Sequence, residues 1–209
     1  MSLLREIKPA AAPPSGRGGG PRTALLLIDV INPMTFDGGE QLFASALPAA
    51  RNIATLKDAL RRQGVPAIYV NDNFDCWDLG FRELVALHLR TANRGQPIIE
   101  LLAPQPGDHF VLKPKHSAFY GTSLELLLQH LRVRRLILTG FAADICVWFS
   151  ANDAHMRGYE VVVPRDCVAA ERPADASHAL EQMQRIMGAD TRTAAELCGT
   201  PATHAGGRL

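Results

Sequence analysis

The chain has 209 residues, 47% of them hydrophobic and 21% charged, the balance of a folded globular domain rather than of a disordered polymer. Its 22 Lys and Arg against 21 Asp and Glu leave a formal net charge of +1, with no basic run of the kind a nucleic-acid partner requires. No stretch approaches the run of about 18 apolar residues of a membrane span, and Arg5, Glu6 and Lys8 interrupt the start where a signal peptide needs continuous apolar sequence, so a cytoplasmic protein with no membrane or nucleic-acid partner is expected.

In chain order, residues 1–22 end in PAAAPPSGRGGGPR, which has too few large side chains for burial to offset the entropy of ordering, and they read as a flexible arm. The interior then alternates short runs rich in Val, Ile and Leu with longer amphipathic ones. Residues 23–29, 65–71, 109–113, 134–140, 159–164 and a weaker 189–193 read as strands buried on both faces. Helical patterns fall roughly at 45–63, 78–90, 122–132, 144–157 and 173–187, each long enough for a crossover. In the fourth of these Ile145, Val147, Trp148, Phe149 and Ala154 form the inner side, and Gly158 is the stop signal. Residues 199–209 resemble the arm in composition and read as a tail. With no internal repeat or linker, residues 23–198 are expected to be one domain: a three-layer, doubly wound α/β fold with a six-stranded, mostly parallel sheet.

Ligands of such sheets bind beyond the carboxyl ends of the strands, close to where the winding reverses. Asp29 ends the first strand and Lys113 the third, with Pro114 keeping Lys113 extended. Lys115 has the same charge two residues on, and local sequence does not separate the two. Cys146 stands six residues after Gly140, in the first turn of a helix whose free N–H groups and dipole favour a thiolate and an oxyanion. The other cysteines, at 76, 167 and 198, form no CxxC pair, so reduced thiols are expected rather than a disulfide framework or a zinc ribbon. A thiol nucleophile needs a base, a positive charge and N–H donors, and a carboxylate, an amine and a helix start supply these types. The first strand leads into DVINPM without a GxGxxG, which speaks against a dinucleotide binder.

Three segments carry a resemblance: ALLLIDVINPM (24–34), VLKPKHSAFYGTSLELLL (111–128) and LILTGFAADICVWFSANDAHMRGYEVVVPRDCVAA (136–170). The combination of K-x-x-x-S-A-F and G-T, then L-T-G with a cysteine six residues on and D-A before G-Y, resembles the isochorismatase-like cysteine hydrolases, which include nicotinamidases and N-carbamoylsarcosine amidohydrolases. The resemblance spans about 23–195. It implies an Asp29–Lys113–Cys146 triad, and favours Lys113 because the family's lysine stands four residues before the serine that is Ser117 here. It implies a cis peptide between Phe141 and Ala142 that would turn the Ala142 N–H, beside that of Cys146, toward a tetrahedral oxyanion. It also implies hydrolysis of a C–N bond in a small amide or carbamoyl compound through a thioester, with Asp29 moving the proton and Lys113 lowering the pKa of the thiol. Metal-binding members carry Asp-x-His after the second strand; residues 71–77 read NDNFDCW here, so neither a metal nor another cofactor is expected.

Phe36, Trp77, His116, Phe119 and Trp148 are the candidates to line a substrate pocket, from loops after the first three strands and from the site helix. Trp148 and Phe149 near that helix make a homo-oligomer the expected state. The rival reading is a non-catalytic α/β binding module in which Cys146 is core or a redox-sensitive thiol.

Overall fold

β1 (Arg22–Ile28) is buried without alternation from Ala24 to Ile28, which only a strand covered on both faces permits. It is central in the sheet of a computed structural model that describes residues 22–199. With β2 (Ala67–Asp72), β3 (His109–Lys113), β4 (Val133–Phe141) and β5 (Glu160–Val162) the strand order is β3-β2-β1-β4-β5, and the short β6 (Val168–Ala169) pairs with the end of β4. All these pairings are parallel. The chain winds from β1 outward to β3, then returns to lay β4 against the other side of β1. The winding therefore reverses between β1 and β4.

The helices are α1 (Gly39–Arg62), α2 (Phe81–Arg90), α3 (Gln96–Leu101), α4 (Leu124–His130), α5 (Trp148–Met156), α6 (Pro173–Met187) and α7 (Ala194–Gly199). Successive strand residues serve opposite layers. Ala24, Leu26, Ile28, Val70, Leu136 and Leu138 meet the layer of α4, α5 and α6. Leu25, Leu27, Tyr69 and Ile137 meet α1 and α3 on the other side. These are the three layers of the expected doubly wound fold.

The sixth strand differs from expectation. Residues 189–193 contribute a single bridge, Asp190 to Val162, and two residues at Val168–Ala169 form β6 instead. The 189–193 segment is polar, and Arg192 is turned to the Asp190 carboxylate at 2.7 Å, while a two-residue strand leaves no periodicity to read. Helices α3 and α7, of six residues each, are also too short to announce themselves. α1 begins six residues earlier than its pattern and contains Pro48 in its interior.

The inner face before and along α5 is corrected too. Val147 and Ala154 are buried, but Ile145 and Phe149 are 41% and 49% exposed. A π-helical turn over Ala143–Val147 opens the segment, with the Val147 N–H reaching back to the Ala142 carbonyl at 3.2 Å. Its extra residue rotates Cys146 and Val147 inward in place of Ile145. Arg22 begins β1 and Gly199 ends α7; residues 1–21 and 200–209, the rest of the expected arm and tail, lie outside the described residues. Among the described residues no helix is long and apolar enough to cross a membrane.

Candidate active site

At the switch between β1 and β4 the two backbones approach closely. A Cβ on Gly140 would stand 2.0 Å from the Ile28 carbonyl oxygen, and Gly140 has φ +123°, so only glycine fits beside the residue that precedes Asp29. Asp29 itself has φ 53°, and Ala142, at the other side of the switch, also has φ 53°. Left-handed backbone in two non-glycine residues costs about 1–3 kcal/mol each and persists where the surroundings over-determine it. Among the described residues there is no cis peptide, so the Phe141–Ala142 bond is trans, contrary to expectation. The left-handed Ala142, directly after Gly140 and Phe141, makes the turn into the helix instead.

Three elements bring the polar groups together. The Asp29 carboxylate accepts the Asp72 N–H at 2.7 Å through Oδ1 and holds Lys113 Nζ at 2.9 Å through Oδ2. Lys113, on the α5 side of β3, has no exposed surface, and its Nζ lies 3.6 Å from Cys146 Sγ. Cys146 is buried in the π-helical turn. Asp29, Lys113 and Cys146, distant in sequence, are thus one contiguous cluster, and exposed Lys115 is not in it.

The electrostatics correct one expectation. Burial pushes the Cys146 thiol well above its ordinary pKa, the Asp29 charge adds to that, and Lys113 opposes both without prevailing. The net direction is upward, against the lowered thiol pKa that was expected. Burial likewise raises Asp29, against the pull of Lys113, which makes it a stronger base than a surface aspartate. Burial works against the Lys113 charge, yet Asp29, Cys146 and Asp72 outweigh it and hold the ammonium above its ordinary range.

Several contributors were not singled out by sequence reasoning. Asp72 places Oδ2 3.6 Å from Lys113 Nζ, a second carboxylate on one ammonium. Asn71, fully buried, binds Ile31 in both directions, its Oδ1 accepting the Ile31 N–H and its Nδ2 donating to the Ile31 carbonyl, each at 3.0 Å. That pair fixes the chain immediately after Asp29. Ser150 donates to the Cys146 carbonyl at 2.6 Å and accepts the Ala118 N–H at 2.9 Å, tying the loop after Lys113 to the helix of Cys146. Ser117 donates to Asp153, which Arg157 holds at 2.6 Å. Ser117 and Asp153 lie inside the quoted S-A-F and D-A motifs, so the signal for that lock was present; Asn71 and Ser150 carried none.

The expected pocket residues divide. Phe119 is core, not wall: it is 6% exposed, with Arg157 4.8 Å over its ring and Tyr159 6.1 Å away. Trp148 is half-buried against the same core and borders an open depression with Asp144, Arg172 and His178. His116 is exposed and stacked at 5.7 Å on Phe149. Phe36 and Trp77 are exposed on the loops after β1 and β2, Trp77 to 75%.

A family model described as the isochorismatase domain matches residues 23–196. The isochorismatase family protein YaaI of Bacillus subtilis (strain 168) is 41% identical over 170 residues, 81% of this chain and 93% of that protein. The ureidoacrylate amidohydrolase RutB of Pantoea ananatis is 28% identical over 194 residues, covering 80% and 78% of the two chains. The crystal structure of N-carbamoylsarcosine amidase from Thermoplasma acidophilum superposes with a TM-score of 0.62 at 26% identity, over 83% of this chain and 96% of that one. With a match that runs from β1 into α7 and takes in Asp29, Lys113 and Cys146, this chain belongs to the isochorismatase family.

Proposed function

We propose that the protein hydrolyses a C–N bond of a small amide or carbamoyl compound, with Cys146 as nucleophile, Asp29 as proton carrier and Lys113 as their electrostatic tether. The observation that carries this reading is the Lys113 ammonium, without exposed surface, 2.9 Å from Asp29 and 3.6 Å from Cys146. An ammonium buried against a thiol and a carboxylate at a topological switch point is costly as architecture and useful as chemistry. The relatives named as an amidase and an amidohydrolase support the reaction class.

At rest the proton is on sulfur. As Sγ attacks the carbonyl carbon, Asp29 takes that proton and becomes neutral, while Lys113 faces the negative charge as it passes through sulfur to the carbonyl oxygen. The oxyanion that forms falls to backbone N–H groups where the site helix starts, with those of Cys146 and Ala142 in the nearest positions by sequence. Asp29 then gives the proton to the leaving amine as the C–N bond breaks and a thioester forms. A water, losing its proton to Asp29, cleaves the thioester; the product leaves and the proton returns to sulfur.

Ammonia release from a panel of primary amides and ureas tests the reading. Cys146→Ser is expected to lower kcat/KM at least about a thousandfold while keeping the fold. The wild-type rate is expected to rise with pH as Asp29 loses its proton, at a midpoint above the ordinary carboxylate range because burial raises its pKa. A midpoint at or below that range, or an undiminished Cys146→Ser, sinks the assignment. The same chemistry needs a reduced thiol, which suits a cytoplasmic setting. The exposed Ile145 and Phe149, on the outer side of the site helix, support a homo-oligomer, and sizing in solution that returns a monomer removes that part.

A further inference from the structure

Asp72 is the charged group of the cluster that solvent reaches. Its side chain is 35% exposed, against 8% for Asp29 and none for Lys113. Its Oδ1 accepts the Phe74 N–H at 2.7 Å, while Oδ2 stands 3.6 Å from Lys113 Nζ, an ion-pair separation too long for a hydrogen bond. Oδ2 therefore keeps acceptor capacity that nothing else among the described residues takes up. Cys146 Sγ lies the same 3.6 Å from that ammonium, so at most twice this distance separates the thiol from Oδ2.

Charge in the cluster does not balance. Among the described residues Lys113 is the one cation within 4 Å of either carboxylate, so two carboxylates face a single ammonium beside the thiol. A carbonyl that reaches Sγ carries its substituents into this uncompensated negative charge, which the burial of Asp29 and Lys113 leaves less screened than a surface cluster. We propose, on the reading that Cys146 is the nucleophile, that Asp72 determines specificity by substrate charge. It favours amides and ureas with an ammonium or amidinium group beside the scissile carbonyl, and disfavours those with a carboxylate there. A cation finds in Oδ2 an open acceptor, whereas a carboxylate meets like charge with no partner to offset it.

Charged thiol reagents read this field at Sγ without a substrate. Iodoacetate is anionic, iodoacetamide neutral and 2-bromoethylamine cationic; alkylation of Cys146 by each is followed by peptide mass spectrometry, with exposed Cys198 of the same molecule as reference. The iodoacetate-to-iodoacetamide rate ratio is expected to be about tenfold lower at Cys146 than at Cys198, and the bromoethylamine ratio higher. Asp72→Asn is expected to bring both ratios at Cys146 most of the way to those at Cys198 and leave Cys198 unmoved. A residue that only braces Lys113 would change all three rates together and leave the ratios alone. Equal ratios at the two cysteines of the wild type, or ratios untouched by Asp72→Asn, overturn the proposal. Asp72→Ser serves if the first variant does not fold, and the wild-type comparison needs neither. Turnover of glycinamide, propionamide and malonamate is measured alongside: faster malonamate hydrolysis overturns the proposal, while intact ratios with no turnover of any amide leave the field of Asp72 standing and remove the hydrolase reading instead.

Discussion

Lys113 sits where an unpaired ammonium would forfeit several kcal/mol of hydration, and its two carboxylates are what make that position tenable. Lys113→Met leaves Asp29 buried with no counter-charge, so the variant is expected to lose about 3–5 kcal/mol at neutral pH. The loss has a definite pH dependence. Without Lys113, Asp29 would have a folded-state pKa raised further above its unfolded value, so protonated Asp29 is favoured in the folded chain and the deficit is small at low pH. It grows as pH rises through the folded-state pKa. Urea denaturation of both proteins at pH 4 and pH 7 checks this, and a deficit equal at both pH values contradicts it.

Between elements, the site depends on contacts that join the strand ends to the helix behind them. Ser150 joins Ala118 to Cys146, so Ser150→Ala strands a buried N–H and is expected to cost about 1–3 kcal/mol, read from the denaturation midpoint. Gly140→Ala meets both a carbonyl at 2.0 Å and a left-handed φ, and is expected to destabilise by more than about 1 kcal/mol while moving the β1–β4 switch. Here the sequence showed less than it contained. The motif from Leu138 to Cys146 located a sharp turn at this place, but its means, a left-handed Ala142 and a π-helical turn rather than a cis bond, depends on how β4 meets Ile28 and on which residue then faces inward. Those are tertiary facts. The same turn is why Ile145 and Phe149, apolar and helically spaced, face outward.

For the whole molecule, the sheet edge beside β5 is closed by charge as well as by backbone. Asp190 pairs its backbone with Val161 and Val163 and its carboxylate with Arg192 and Arg135. The hydrogen bond from Arg192 holds the Asp190 carboxyl below its ordinary range. A depressed folded-state pKa contributes stability above the unfolded pKa and loses it as pH falls through the folded one. Asp190→Asn is therefore expected to cost about 0.5–1 kcal/mol at pH 7, and to match the wild type near pH 2. Thermal unfolding across that range checks it.

The sequence by itself determined the doubly wound fold, the five principal strands and the places of Asp29, Lys113 and Cys146, because two-sided burial writes unbroken apolar runs and strand ends are where such folds expose polar groups. It could not show that Asp72 shares Lys113, that Phe119 is core, or that burial outweighs Lys113 at the thiol. Each of these follows from distance and desolvation, which arise only when β1, β3 and the helix after β4 converge on one point, and a one-dimensional pattern carries neither.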